Sequence, residues 1–225
     1  MARDYKAIVT ALLLKAESTE FEAEREELET KAFALMSEHS ITVALEKEVT
    51  DKQVMRKMLF KNPYSNQKWI LYCVLADHFN SKAIRGCGGI VYFFGYESDF
   101  QSTEFLYSIL INQVMINLSG VKIPGGVNAK SYKVSWWAGF NSRIAARLKE
   151  SKKTATANAV PGAAVALYDR SRASETEMRK KFPHVKSLRT TANSLDGWYS
   201  GQDAGERANF HNQSTVDSNG RRALT

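Results

Sequence analysis

The run Lys82-Ala83-Ile84-Arg85-Gly86-Cys87-Gly88-Gly89-Ile90-Val91-Tyr92-Phe93-Phe94-Gly95 decides the fold. Two segments rich in β-branched and aromatic residues flank a glycine-dominated turn, the pattern of a β-hairpin. Both neighbours of this hairpin read as helices. Upstream, Trp69-Ile70-Leu71-Tyr72-Cys73-Val74-Leu75-Ala76 is apolar nearly all round. It predicts a deep helix that opens at Asn62-Pro63, an N-cap followed by Pro in the first helical position, and runs to Phe79. Downstream, Ser98 and Gln101 at capping-box spacing open a long helix to about Leu118. Pro124-Gly125-Gly126 breaks the chain, and Val134, Trp137, Phe140, Ile144 and Leu148 then mark an amphipathic helix.

Further from the hairpin the pattern is less regular. Ile8, Leu12, Leu13 and Ala16 mark the apolar face of a first helix, and Leu28, Ala32, Leu35, Met36 and His39 that of a second. Thr19 and Glu22 lie between them at capping-box spacing. Ile41 to Leu45 reads as a strand, followed by a short helix through Met55 and Leu59. Residues 151–156 read as a frayed helix end or linker, Pro161-Gly162 as a turn and Ala164 to Tyr168 as a strand. Ser174 to Phe182 reads as a short helix stopped by Pro183, and Val185 to Leu188 as a further strand. The expected fold class is α+β: an N-terminal helical hairpin, a small mixed sheet containing the β-hairpin and covered by helices, and a basic C-terminal segment. The expected division is an acidic helical hairpin module at 1–41, an α+β core at 42–190, and a glycine-striped helix with a mobile polar tail at 191–225.

Charge is segregated along the chain. Residues 1–48 carry 6 Lys/Arg against 11 Asp/Glu, residues 49–120 carry 7 against 5, and residues 121–225 carry 18 against 8. A basic second half points to a polyanion, and an acidic start to a separate surface. The hydrophobic fraction of 44% and 11% aromatics supply a packed core and argue against disorder. The chain starts without a cleavable leader pattern, and its most apolar stretch, Phe105 to Leu118, is too short and too polar to span a bilayer. Cys73 falls in an apolar run and Cys87 in a glycine turn, so neither suggests a metal site or a disulfide framework, and a cytoplasmic location is expected.

Candidate binding residues follow from this charge. Arg143, Arg147, Lys152, Lys153, Arg170, Arg172, Arg179, Lys180, Lys181, Lys186 and Arg189 form the cationic set that would displace counterions from a phosphate backbone. Trp198 and Tyr199 are candidate stacking platforms for unpaired bases. Glu22, Glu24, Glu26 and Glu27 are candidate contacts for a basic protein partner, since they exceed what helix capping needs. Gly197, Gly201 and Gly205, four apart, would align on a helix as a smooth strip for close packing. Glu97 and Asp99, between a strand and a helix, suit either N-capping or a metal-assisted hydrolytic site. His39, His78, His184 and His211 show no metal-ligand spacing, and Gly86 to Gly89 lacks the Lys-Ser/Thr ending of a phosphate loop. No catalytic residue, metal ligand or cofactor is therefore assigned.

Four blocks together carry a family resemblance: Leu12 to Glu24 running on to Lys31 to Met36, Val91 to Asp99, Trp137 to Leu148, and Gly201 to Ala208. The first resembles the helical module of domain of unknown function 2786. The others resemble the region attached to it in actinobacterial and bacteriophage proteins. The resemblance implies a bacterial or phage cytoplasmic protein from a mobile-element setting, and it supplies no catalytic positions. The expected function is a non-enzymatic nucleic-acid-associated accessory protein, with DNA or RNA backbone as partner. The alternative is a protein-interaction module acting through the acidic hairpin.

Overall fold

A computed structural model describes residues 5–19, 21, 23–25, 27–28, 30–32, 34–36, 38, 51–159, 162–186 and 192–208. Helix α1 spans Tyr5–Ser18, and helical positions recur from 23 to 38. Strand β1 (Gln53–Leu59), helix α2 (Ser65–His78), strand β2 (Lys82–Arg85), a 3-10 turn (Cys87–Gly89) and strand β3 (Ile90–Tyr96) follow. Then come α3 (Glu97–Gly120), α4 (Ala129–Ala157), α5 (Ala163–Lys181) and α6 (Leu195–Glu206). The fold is α+β, as the sequence predicts.

The expected hairpin is present: β2 pairs antiparallel with β3, with Arg85 opposite Val91 and Lys82 opposite Phe94. The turn needs its glycines, since Gly88 and Gly89 adopt φ of 66° and 80°. β3 is central in the order β1-β3-β2, and the sheet is wholly antiparallel, not mixed. Its missing partner is β1, over the residues expected to be helical at Met55 and Leu59. The period there is two: Val54, Arg56 and Met58 lie opposite Gly95, Phe93 and Val91 on one face, whereas Met55 lies opposite Phe94 on the other. A buried central strand needs hydrogen-bond partners along both edges, and that requirement outweighs the i, i+4 spacing of Met55 and Leu59.

Alternation along β3 assigns the two sheet faces. Phe93 packs with Tyr72 and Ala76 of α2 and with Phe100 and Tyr107 of α3. Phe94 and Ile84 pack with Met178, and Tyr92 with Phe182 at a ring separation of 4.9 Å, so α5 covers the opposite face. The expected strand at Ala164 to Tyr168 is thus the first turns of a 19-residue helix. Read over its full length, α5 buries Ala163, Leu167, Arg170, Ser174 and Met178 at helical spacing, and Val165 and Tyr168 face solvent. Residues 151–156 are not a linker, because α4 continues to Ala157 and seats Ala155 against Ala163 and Leu167.

Behind α2 and α3 lies the main core. Leu71, Leu75, Leu106, Leu110, Trp136, Trp137, Phe140 and Ile144 are its large members. Val9 of α1 joins it with Ala32 and Met36, so the N-terminal helices add to the same core. The buried stripe of α1 is Val9, Leu12 and Ala16, with Ile8 at the surface. α2 begins at Ser65 with Tyr64 as its N-cap, so Asn62 and Pro63 precede it. The expected strand at 41–45 and the last fifteen residues lie outside the described residues, as does the second half of the expected strand at 185–188, whose first two residues are not in a strand.

α6 packs against α4 along the glycine strip. A Cβ at Gly201 would lie 1.9 Å from the Trp136 carbonyl oxygen, and one at Gly197 2.6 Å from that of Tyr132. The contact is reciprocal, since a Cβ at Gly139 of α4 would lie 2.0 Å from the Trp198 carbonyl oxygen. Gly201→Ala therefore sets a helix-propensity gain of about 1 kcal/mol against a backbone clash with no flexible atom to yield. Overpacking of this kind costs about 1–3 kcal/mol or more. We expect the substitution to lower the midpoint of thermal unfolding by several degrees, whereas Gly120→Ala, with nothing within 4 Å of the added atom, leaves it level or slightly raised. Equal midpoints for the two variants would refute the close seam.

Candidate functional site

The sheet edge at β2, the end of α5 and the segment after it border an open cavity of about 790 Å³. Its apolar lining comes from Trp69 of α2, Ala83 and Ile84 of β2, and Phe182 and Val185 beyond α5. Arg85, Lys181, His184 and Lys186 also line it, all exposed, and no carboxylate does so among the described residues. Phe182 packs on Tyr92 and Phe94, which seats the end of α5 on the sheet. Arg179, Lys180 and Lys181 occupy the last turn of α5, where the helix dipole favours cations by about 0.3–1 kcal/mol each. That explanation does not reach Arg85, on another element, or Lys186, outside the helix.

The structure distributes the sequence-predicted cations among several environments. Lys181 and Lys186 meet at the cavity, and Arg179 and Lys180 lie beside them but pair with Glu175 and Glu177. Arg172 and Lys153 are exposed. Arg143 pairs with Glu206, which holds the guanidinium above and the carboxyl below their usual pKa ranges. Arg147 donates to the carbonyl oxygens of Gly205, Glu206 and Ala208, closing the C-terminus of α6. Lys152 is half-buried and donates to the His78 carbonyl oxygen at 2.9 Å and to Asn80 Oδ1 at 2.7 Å; burial pushes its pKa down. Arg147 and Lys152 are thus engaged on part-buried acceptors within the fold, whereas the Arg143–Glu206 pair lies at the surface. Trp198 and Tyr199 stack edge-on together on α6, away from the elements that line the cavity. Arg189, Glu22 and Glu26 lie outside the described residues. Glu24 pairs with Lys15 and accepts from Thr19, and Glu27 pairs with Lys31, so both serve the hairpin itself.

Arg170 departs furthest from expectation. It is 8% exposed and sits between Asp51 and Asp99, exposed 6% and 3%. Its Nε donates to Asp99 Oδ2 at 2.8 Å, while Nη2 donates to Asp51 Oδ2 and to Ser98 Oγ. The guanidinium carbon lies 4.0 Å from the centre of the Tyr96 ring. Asp51 also accepts from the Ser98 backbone N–H at 3.1 Å, and so caps the start of α3 from outside the helix. Ser98 and Gln101 are therefore not a capping box: Tyr96 is the N-cap residue and makes no side-chain bond. Asp99 and Glu97 do not form an open metal or general-base site either. Asp99 is held by Arg170 and Glu97 by Arg56, and no group of three metal-ligating side chains occurs among the described residues.

Two carboxyls face one guanidinium here. Asp51, with several donors, has its pKa lowered despite burial, whereas burial raises that of Asp99 to about 7. A second buried group opposes it: His78 is kept neutral by burial, its pKa lowered to about 3, and its Nδ1 has no protein partner among the described residues.

Residues 7–43 match a family model described as Protein of unknown function (DUF2786). The N-terminal helices carry the match, so the resemblance holds for the first of the four blocks, and the matched span stops short of the cavity. No curated protein and no solved structure matches the chain. No helix among the described residues is long and apolar enough to cross a membrane.

The opposed titrations make a testable sign. A carboxyl with a raised folded pKa binds protons more readily in the folded state, so Asp99 costs stability as pH rises from about 4 towards 7. A histidine with a lowered folded pKa costs stability as pH falls below about 6.5. Between pH ~5 and ~6.5 the two slopes, each at most about 1.4 kcal/mol per pH unit, oppose one another and the stability of the protein stays nearly level. Asp99→Asn removes one of them, so its stability falls on acidification across that window. Urea titrations at several pH values measure this, and parallel pH profiles for the two proteins would refute the assignment.

Proposed function

We propose that the protein is a non-enzymatic accessory factor that associates with nucleic acid, gripping phosphates at the cationic mouth of the cavity. The observation that supports this reading is convergence. Arg85 of β2 meets Lys181 and Lys186, which bracket one short run at and beyond the end of α5, around one opening; the Lys181 ammonium also lies 3.6 Å from Met55 Sδ, and no carboxylate pairs with any of the three among the described residues. Such a cluster attracts a polyanion and releases its counterions, without reading base sequence. The footprint is smaller than the charge of +7 suggests, because Arg147, Lys152 and Arg170 serve internal contacts and Arg143 is paired with Glu206 at the surface. The phage or mobile-element setting and the cytoplasmic location implied by the family resemblance belong to the same proposal.

Binding of a labelled oligonucleotide should be measurable at about 50 mM salt and weaken steeply towards about 200 mM. Replacing Arg85, Lys181 and Lys186 together by Gln should reduce the slope of log affinity against log salt by about 2 to 3, one phosphate contact per cation. Lys130→Gln with Lys133→Gln, at the start of α4, should leave it unchanged. No binding at low salt, or an unaltered slope in the triple variant, would overturn the reading.

A further inference from the structure

We infer that the cavity takes a single unstacked base, so that the protein prefers single-stranded nucleic acid to duplex. The inference rests on the nucleic-acid reading above and concerns the apolar part of the same site, which phosphate contacts leave unexplained. A duplex presents phosphates at its surface and keeps its bases stacked inside. It can satisfy Arg85, Lys181 and Lys186 and leave the space between Trp69, Ile84 and Phe182 empty. A single strand can turn one base inward while the flanking phosphates stay at the rim.

The dimensions and chemistry agree. The volume of about 790 Å³ lies within the range of small-ligand pockets, roughly 300–1,000 Å³, and is ample for one base and its sugar. The lining supplies two aromatic rings, Trp69 and Phe182, as candidate platforms, and base–aromatic stacking tolerates any base. Charge complementarity selects the occupant: an apolar slot with cations at its mouth and, among the described residues, no lining carboxylate fits an aromatic group that carries its own negative charges. Trp69 is also the tryptophan best placed to report entry, since Trp136 and Trp137 are buried in the main core at 1% and 0% exposure and Trp198 lies on α6.

The test compares three ligands of equal length on the full chain: an ordinary single strand, the same strand with abasic sugars throughout, and the duplex. The ordinary strand should bind about tenfold or more tightly than either of the others. Its salt slope should equal that of the abasic strand, because the two carry the same phosphates. Tryptophan emission should fall on binding the ordinary strand, and Trp69→Phe should remove most of that fall. If all three ligands bind equally, the base pocket is overturned while the phosphate reading survives; if none binds, both fall. A polyglutamate chain of the same charge that displaces the strand equally well would overturn the inference in favour of an acidic polypeptide. Quenching that persists in Trp69→Phe would place the base elsewhere and overturn it too. If that variant fails to fold by circular dichroism, the abasic comparison decides alone.

Discussion

The buried guanidinium of Arg170 is the contact on which the cavity depends. It joins three separate parts of the chain: the segment before β1 through Asp51, the start of α3 through Ser98 and Asp99, and α5, which carries it. Burying three ionisable groups is expensive, and a buried pair of this sort often adds no net stability over a well-packed apolar substitute. Its effect is positional. Removing one partner from such a cluster typically costs about 3–5 kcal/mol, because the others are left uncompensated. The interaction therefore penalises any register of α5 on the sheet except the observed one. That register places Met178 on Ile84 and Phe94, and Phe182 on Tyr92, and so fixes where Lys181 and Lys186 emerge.

The parts of this architecture that were legible in the sequence are those with local signals. The β2–β3 hairpin was readable because its turn glycines and flanking aromatics lie within fourteen consecutive residues, Lys82 to Gly95. α4 was readable from Trp137, Phe140, Ile144 and Leu148, and the close-packed glycine strip from the repeat of four. β1 was not, since Gln53-Val54-Met55-Arg56-Lys57-Met58-Leu59 carries cations within it and its strand character is imposed by pairing with β3. The start of α5 is obscured for a related reason: Ala164-Val165-Ala166-Leu167-Tyr168 looks β-like in a short window and helical only when Ser174 and Met178 are read with Leu167.

The same longer window contains the signal for Arg170. It falls on the stripe of Ala163, Leu167, Ser174 and Met178, and a lone cation on a buried stripe calls for a buried anion. Asp51 and Asp99 were unidentifiable as its partners, because 119 and 71 residues separate them from it in the chain. The cavity had no local signature at all. Trp69 read as part of a deep helix and Arg85 as one residue of a hairpin, and only the tertiary arrangement brings them to Lys181, Phe182 and Lys186. The cations of the second half are thus of different kinds: some stand at a surface opening, and others, such as Arg147 on the α6 carbonyls, satisfy acceptors at a helix end.

The helix that delivers the basic residues also works against them. α5 ends at the cavity, and the carbonyl end of a helix carries roughly half a negative charge. An anion approaching this mouth meets unfavourable backbone dipoles, the reverse of the usual anion site at a helix N-terminus. Attraction must then come from side chains alone, and Lys181 spends part of its charge offsetting the terminus that bears it. Arg85 and Lys186 have no such debt, because neither belongs to the helix. The field at the opening is therefore governed by two residues beyond α5 more than by the run of three within it, although the run is the more conspicuous in the sequence. This is why the cationic character of the site depends on holding the helix end, the hairpin and the following segment together, which returns to the clamp formed by Arg170.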